Sequence, residues 1–266
     1  MRTMSRRQFL AAALASAATG SAPLLLKVRP ASAVIAAQAT TSIAVPTGTA
    51  APQGASSATL EAPSAVLRTN YISTPAVIQQ YSLDCEAAAL QAALAARGTS
   101  VTQDWILAQI GADTRAAVRD ASGAIAAWGD PYQTFVGDVR GSEVNGTGYG
   151  VYYGPIAAAA QAAGHDATGG VGWTAAAVYQ AVSAGYPVVI WTDTTYTAVP
   201  TRAWTAWDGR KVPYAVGEHA VTLTGLDVEH QRVQLLDVET GQLRTFSMDR
   251  FTSFWSSFDN MAVVVR

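Results

Sequence analysis

Gln79-Gln80-Tyr81-Ser82-Leu83-Asp84-Cys85-Glu86 is the stretch on which the reading of this chain turns. It carries the only cysteine among 266 residues, at a point where Asp84 or Ser82 can cap a helix. That helix, rich in Ala and Leu, is expected from Cys85 to Ala96, with Gly98 ending it. Far downstream, His219 lies inside a strand pattern and Asp237 ends the following strand. A thiol at a helix start, an amide donor at Gln79, and a His and an acid from later strands form the layout of an activated cysteine nucleophile.

Outward from that stretch, helices come first and strands later. A second short helix is expected over 102–110, closed by Gly111. Asp130-Pro131 reads as an N-cap followed by proline at the first helical position, opening a short helix to about Val136. A glycine-studded loop spans 137–154. Pro155 starts a helix that ends at Gly164, and Thr174 caps another that ends at Gly185. The apolar, β-branched run Pro187-Val188-Val189-Ile190-Trp191-Thr192 is a buried strand. A polar, Trp-rich loop is expected over 193–217. His219–Leu226 and Arg232–Val238 form a hairpin, a third strand covers 242–247, a short helix covers 248–258, and Met261–Val265 closes the sheet. A helical N-terminal half packed on an antiparallel C-terminal half is α+β.

The chemistry rests on these parts. A thiolate is the working nucleophile, and a helix N-terminus together with a nearby imidazolium favours it. Cys85 has the first by position; His219 supplies the second if its strand packs against that helix start. Asp237, 18 residues beyond His219, is the expected orienter of the imidazole, with a strand-end turn former as the plain alternative. Glu86 and Glu218 adjoin the two key residues and are substitutes for that role; Glu218 is expected on the opposite side of its strand from His219. Gln79, with Gln80 beside it, is the candidate oxyanion donor. His165, after a helix end, and His230, in a turn, read as surface residues. Cys85, His219 and Asp237 lack zinc spacing, so no metal or cofactor is expected.

The termini and composition set the compartment. Ser5-Arg6-Arg7-Gln8-Phe9-Leu10, an apolar stretch and Ala31-Ser32-Ala33 read as a twin-arginine export signal over 1–33, cut after Ala33, with an uncleaved anchor as the alternative. Residues 34–68, rich in Ala, Thr, Ser, Pro and Gly, read as a disordered linker, and 69–266 as one domain. Without the signal's five basic residues, twelve basic and nineteen acidic residues remain, a net charge near −7 that argues against nucleic acid or an anionic membrane as the main partner. One cysteine permits no internal disulfide, leaving an intermolecular bridge, a buried bland thiol or a nucleophile.

At these residues the chain resembles the papain-like cysteine peptidases of the double-glycine, bacteriocin-leader-processing type, and more closely their stand-alone exported relatives. The matching stretches are 79–90, Gly129-Asp130-Pro131, Phe135-Val136-Gly137, Gly148-Tyr149-Gly150-Val151-Tyr152, 185–191, Glu218-His219-Ala220-Val221 and Leu236-Asp237, covering about residues 70–265. The resemblance implies a papain-like fold with Cys85 as nucleophile, His219 as base, Asp237 as third member and Gln79 as oxyanion donor. Val238 stands where the family commonly has proline, and no transporter domain is present, so substrate does not carry over. The expectation is an exported cysteine peptidase or amide hydrolase acting on a peptide or protein, cell-wall peptides among the candidates. The alternatives are a silent peptide- or cell-wall-binding module, with Trp191, Trp204 and Trp207 as candidates to line its cleft and core packing as the other account of Trp191, and acyl transfer in place of hydrolysis.

Overall fold

A computed structural model describes residues 66–266. The export signal and nearly all of the linker lie outside the described residues. The elements in chain order are β1 (Asn70–Tyr71), α1 (Cys85–Ala96), α2 (Gln103–Ile110), β2 (Ala112–Asp113), β3 (Val118–Arg119), β4 (Ile125–Trp128), β5 (Phe135–Val136), α3 (Tyr153–Ala162), β6 (Ala167–Gly170), α4 (Ala175–Ser183), β7 (Val188–Asp193), β8 (Arg202–Ala206), β9 (Lys211–Tyr214), β10 (Glu218–Asp227), β11 (Arg232–Asp237), β12 (Gln242–Ser247), α5 (Met248–Trp255), a short 3-10 turn (Ser256–Phe258) and β13 (Ala262–Val265). The fold is α+β, helices against a largely antiparallel sheet.

The main sheet runs β12-β11-β10-β7-β13-β6, with β1 pairing the far end of β10. Neighbouring strands in it pair antiparallel, and Trp191 lies opposite Ala220 where β7 meets β10. Both faces are covered. On one side α1 lies along β10, and the Thr222 hydroxyl donates to the Ala89 carbonyl at 2.8 Å. Here Leu90, Leu94, Val189, Trp191, Ala220 and Leu236 share one core. On the other side Val178, Val182, Ile190, Val221, Leu223, Leu235, Phe251 and Phe254 share a second core beneath α4 and α5. A strand covered on both faces reads as a continuous apolar run, which is why β7 and β10 show no polar–apolar alternation. α1 is likewise enclosed, and alanines at 87, 88, 89, 92 and 93 let it approach the sheet closely.

The expected Thr174 cap forms, its hydroxyl accepting from Ala177 N at 3.2 Å, and Thr102 caps the second helix in the same way, from Trp105 N at 3.1 Å, whereas the side chain of Asp84, at the start of α1, makes no capping hydrogen bond to that helix. Two expectations are corrected. Residues 130–136 are not a helix. Asp130 does cap a turn, its Oδ1 accepting from Tyr132 N at 2.9 Å, but the chain then extends into β5, which pairs in parallel with β2. Nor is 193–217 a loop throughout: β8 and β9 form a hairpin across Asp208-Gly209, with Gly209 at φ +91°, and join β4 and β3 in a four-stranded sheet. Trp204, Ala206, Val212 and Tyr214 alternate inward while their neighbours face out, a period of two hidden among polar residues.

Candidate active site

The approach to α1 is a tight clip. Asp84, fully buried, accepts from Tyr81 N at 2.9 Å and from Gln80 N at 3.2 Å. Burial pushes its carboxyl up to about 6, against the pull of those backbone donors. Leu83 N donates to Val139 O, tying the clip to the glycine-rich segment.

Cys85 is the first residue of α1, with no solvent exposure. Its thiol donates to Glu86 Oε2 at 3.4 Å, and Glu86 Oε1 accepts from Val151 N at 2.6 Å. Glu218 completes the neighbourhood: ligand atoms of Cys85, Glu86 and Glu218 all lie within 4.8 Å of one another, and all three residues are buried. This trio is the group among the described residues with the donor set and spacing to hold a metal ion. Gly150 is what leaves room for it. A Cβ there would lie 2.3 Å from Glu86 Oε1 and 3.0 Å from Glu218 Oε2.

His219 faces the other way. The pleat of β10 sends successive side chains to opposite faces, and its pairing with β7 is regular from Glu218 through Leu223. Glu218 therefore joins Cys85, while His219 stands over the second core, its ring edge-on to Tyr196 at 6.5 Å between centroids. There His219 Nε2 meets Asp237 Oδ1 at 3.1 Å, and Arg244 Nε donates to Asp237 Oδ2 at 2.6 Å. The Arg244 guanidinium sits over the Tyr196 ring, 5.5 Å from its centroid. Burial works to raise the Asp237 carboxyl, but His219 and Arg244 outweigh it and hold the group well below the usual carboxylate range. A carboxylate only accepts, so Nε2 carries a proton in this hydrogen bond. Nδ1 is buried and has no hydrogen-bond partner.

The structure thus brings together His219 and Asp237 as expected. The hydrogen bonds of that pair run between His219, Asp237 and Arg244, and Glu218 is the neighbour that strand parity gives the sulfur. Gln79 stands beside the end of β11, its N donating to Val238 O at 2.8 Å. One N–H of its side-chain amide donates to Tyr81 O at 2.8 Å, a local bond. The tryptophan cleft is also corrected. Trp191 and Trp204 are fully buried, their indole N–H groups spent on Val151 O and Gly129 O, and only Trp207 is partly exposed, beneath Arg115. His165 is half-buried, bridging Arg266 O and the Thr99 hydroxyl, whereas His230 is exposed as expected and pairs with Asp227.

Arg244 is the member of this buried network that sequence reasoning misses. Its signal is present: β12 pairs back on β11, and Arg244 stands two residues along from Gln242, the partner of Asp237, so both side chains share a face.

Comparisons with known proteins converge on one family. The model of the Peptidase_C39 like family matches residues 72–263. Among curated proteins, the uncharacterized protein YvpB of Bacillus subtilis is 33% identical over 140 residues, covering 52% of this chain and 53% of the relative. The alignment therefore spans about half the length of that protein. Among solved structures, a presumed C39-like peptidase from Bacillus anthracis superposes with a TM-score of 0.62 at 25% identity, covering 75% of this chain and 98% of that one.

Proposed function

This chain belongs to the Peptidase_C39-like family, and we propose that it is a cysteine peptidase-like hydrolase of peptide substrates, held in a resting arrangement. The observation that carries the reading is the buried His219–Asp237 pair, with Arg244 behind the acid and Nδ1 left open. Such a relay fixes the tautomer and orientation of an imidazole that is to accept a proton. Cys85 sits at the start of a 12-residue helix, whose free N–H groups and dipole favour a thiolate. In the working state the sulfur leaves Glu86, gives its proton to His219 Nδ1 and attacks a carbonyl carbon. The carbonyl electrons move onto oxygen, where the Cys85 N–H and a reoriented Gln79 amide receive the charge. Collapse expels the amine, which takes the proton from His219, and water hydrolyses the acyl-enzyme.

The test is iodoacetamide labelling of the folded protein across pH 5–8, with and without a peptide library. Labelling at pH 6 faster than free cysteine, lost in His219→Ala, is expected. Labelling that appears only after unfolding, whatever peptide is present, would refute the mechanism.

A second reading has its own observation: Cys85 is sealed from solvent and bonded to Glu86. On that reading the chain is a silent peptide- or cell-wall-binding module. Binding that survives Cys85→Ser, with no turnover of any peptide, separates it from the first. In either role we place the protein outside the cytoplasm, on the strength of the twin-arginine signal at Ser5–Leu10; among the described residues no helix is long and apolar enough to cross a membrane. Terminal sequencing of exported protein beginning at Val34 is the check.

A further inference from the structure

A cleft of about 320 Å³ lies apart from the Cys85–Glu86–Glu218 trio, its wall including Tyr132, Tyr152, Tyr214, Phe258, Ser257 and Asp259. We propose that it is a subsite for a single cationic side chain, a lysine or arginine of a bound peptide. Its size is at the small end of ligand sites, right for one side chain rather than a cofactor.

The chemistry of the wall favours a cation. Four aromatic residues line the wall, and aromatic rings attract positive charge and cover methylene groups. Tyr132 already demonstrates this, since the Arg210 guanidinium stacks on its ring at 4.9 Å from the centroid. That cation is taken, being paired with Asp130 at 3.3 Å. The wall itself contains no Lys, Arg or His, and its one charged residue is Asp259. The Asp259 side chain is exposed and forms no salt bridge among the described residues. Several hydroxyls are already oriented: the Ser257 oxygen accepts from Val199 N at 3.0 Å, the Ser256 hydroxyl donates to Ser253 O at 2.8 Å, and the Tyr152 hydroxyl donates to Pro213 O at 2.6 Å.

The segment presenting Asp259 is held in an unusual conformation. Asp259 and Asn260 are consecutive non-glycine residues in the left-handed region, at φ 52° and 48°. Their carbonyls accept from Gly172 N at 2.7 Å and Trp173 N at 3.3 Å. Asp and Asn tolerate this region, and Asp259 is the left-handed cap that ends the 3-10 turn Ser256–Phe258, which fixes where its carboxylate stands on the cleft wall.

The proposal draws the peptide from the functional reading above, but the pocket's preference is testable without any catalysis. The probes are Nα-acetyl-lysine amide and Nα-acetyl-arginine amide, with the norleucine and glutamate amides as controls, titrated against the Cys85→Ser protein by NMR. The basic probes are expected to perturb Tyr132, Tyr214 and Phe258 resonances, weakening with salt, while norleucine and glutamate amides bind at least fivefold more weakly. Asp259→Asn, and Asp259→Gly, which also relieves the left-handed strain, should each lose at least fivefold affinity for the basic probes with no loss in melting temperature. Equal binding of norleucine, indifference to both Asp259 variants, or no binding of a basic probe at tens of millimolar would overturn the proposal. Because the sulfur is absent in these titrations, failure of the hydrolase reading leaves the outcome unaffected, and the reverse also holds.

Discussion

Replacing Asp237 with alanine tests the buried relay most directly. The carboxylate is fully buried and receives three donors: His219 Nε2 at 3.1 Å, Arg244 Nε at 2.6 Å and the Glu239 backbone N at 3.1 Å. Two of these involve ionic or ionisable partners, and hydrogen bonds to charged groups contribute about 1.5–3 kcal/mol each. His219 is 1% exposed and loses its partner without access to water, whereas Arg244 is 29% exposed and is partly rehydrated. Removing one member of a buried pair costs about 3–5 kcal/mol. We therefore expect Asp237→Ala to destabilise the domain by about 4 kcal/mol at pH 7, and Asp237→Asn, which keeps one acceptor but turns an N–H₂ toward a donor, by about half that. The pH dependence has a definite sign. The folded carboxyl lies below its unfolded value, so its stabilisation is complete above about pH 4 and is lost as the pH falls further, when the unfolded chain takes up the proton first. The gap between wild type and Asp237→Ala should narrow toward pH 3. Urea unfolding followed by the fluorescence of the buried tryptophans measures it. A cost under 1 kcal/mol at pH 7, or a gap that widens on acidification, would refute the reasoning.

Two further outcomes are expected. Gly150→Ala places a methyl 2.3 Å from Glu86 Oε1, and should lower stability by about 2–3 kcal/mol in thermal unfolding, overpacking costing that much in a site that cannot relax. Asp84 behaves oppositely to Asp237: its carboxyl is raised to about 6, so the folded state favours the protonated form and loses its advantage as pH rises from about 4 to 6. A shift of about two units corresponds to roughly 3 kcal/mol, so the stability of Asp84→Asn relative to wild type should improve by up to that amount between pH 4 and 7 in parallel urea titrations.

Much of this architecture is legible in the sequence because its signals are local. Thr174 announces its helix with its own hydroxyl, and the apolar, β-branched run of β7 announces a buried strand. The β8–β9 hairpin is not, since its inward residues are interleaved with Arg202, Thr205 and Lys211, and its value comes from a distant partner, β4. The 130–136 segment misleads for a related reason: Asp130-Pro131 is a valid turn start, and only the parallel pairing of Phe135 and Val136 with Ala112 and Asp113 makes the chain beyond it a strand. In the site, the His219–Asp237 pair is legible from the hairpin's length, while Arg244 depends on a third strand's register.

The relation of Cys85 to His219 turns on a parity that sequence spacing states but does not resolve. Glu218 and His219 are consecutive on one strand, so only one of them can share the face on which α1 lies. Thr222 decides which, because its hydroxyl reaches the Ala89 carbonyl and an even-numbered residue on β10 is thereby fixed toward the helix. The sulfur accordingly rests among carboxylates, an environment that disfavours a thiolate, while the imidazole waits with its open nitrogen across the strand. Like charges at this spacing repel, so ionising one member of the trio raises the cost of ionising the next. Activation, on the hydrolase reading we propose, requires the sulfur to leave Glu86 and Glu218.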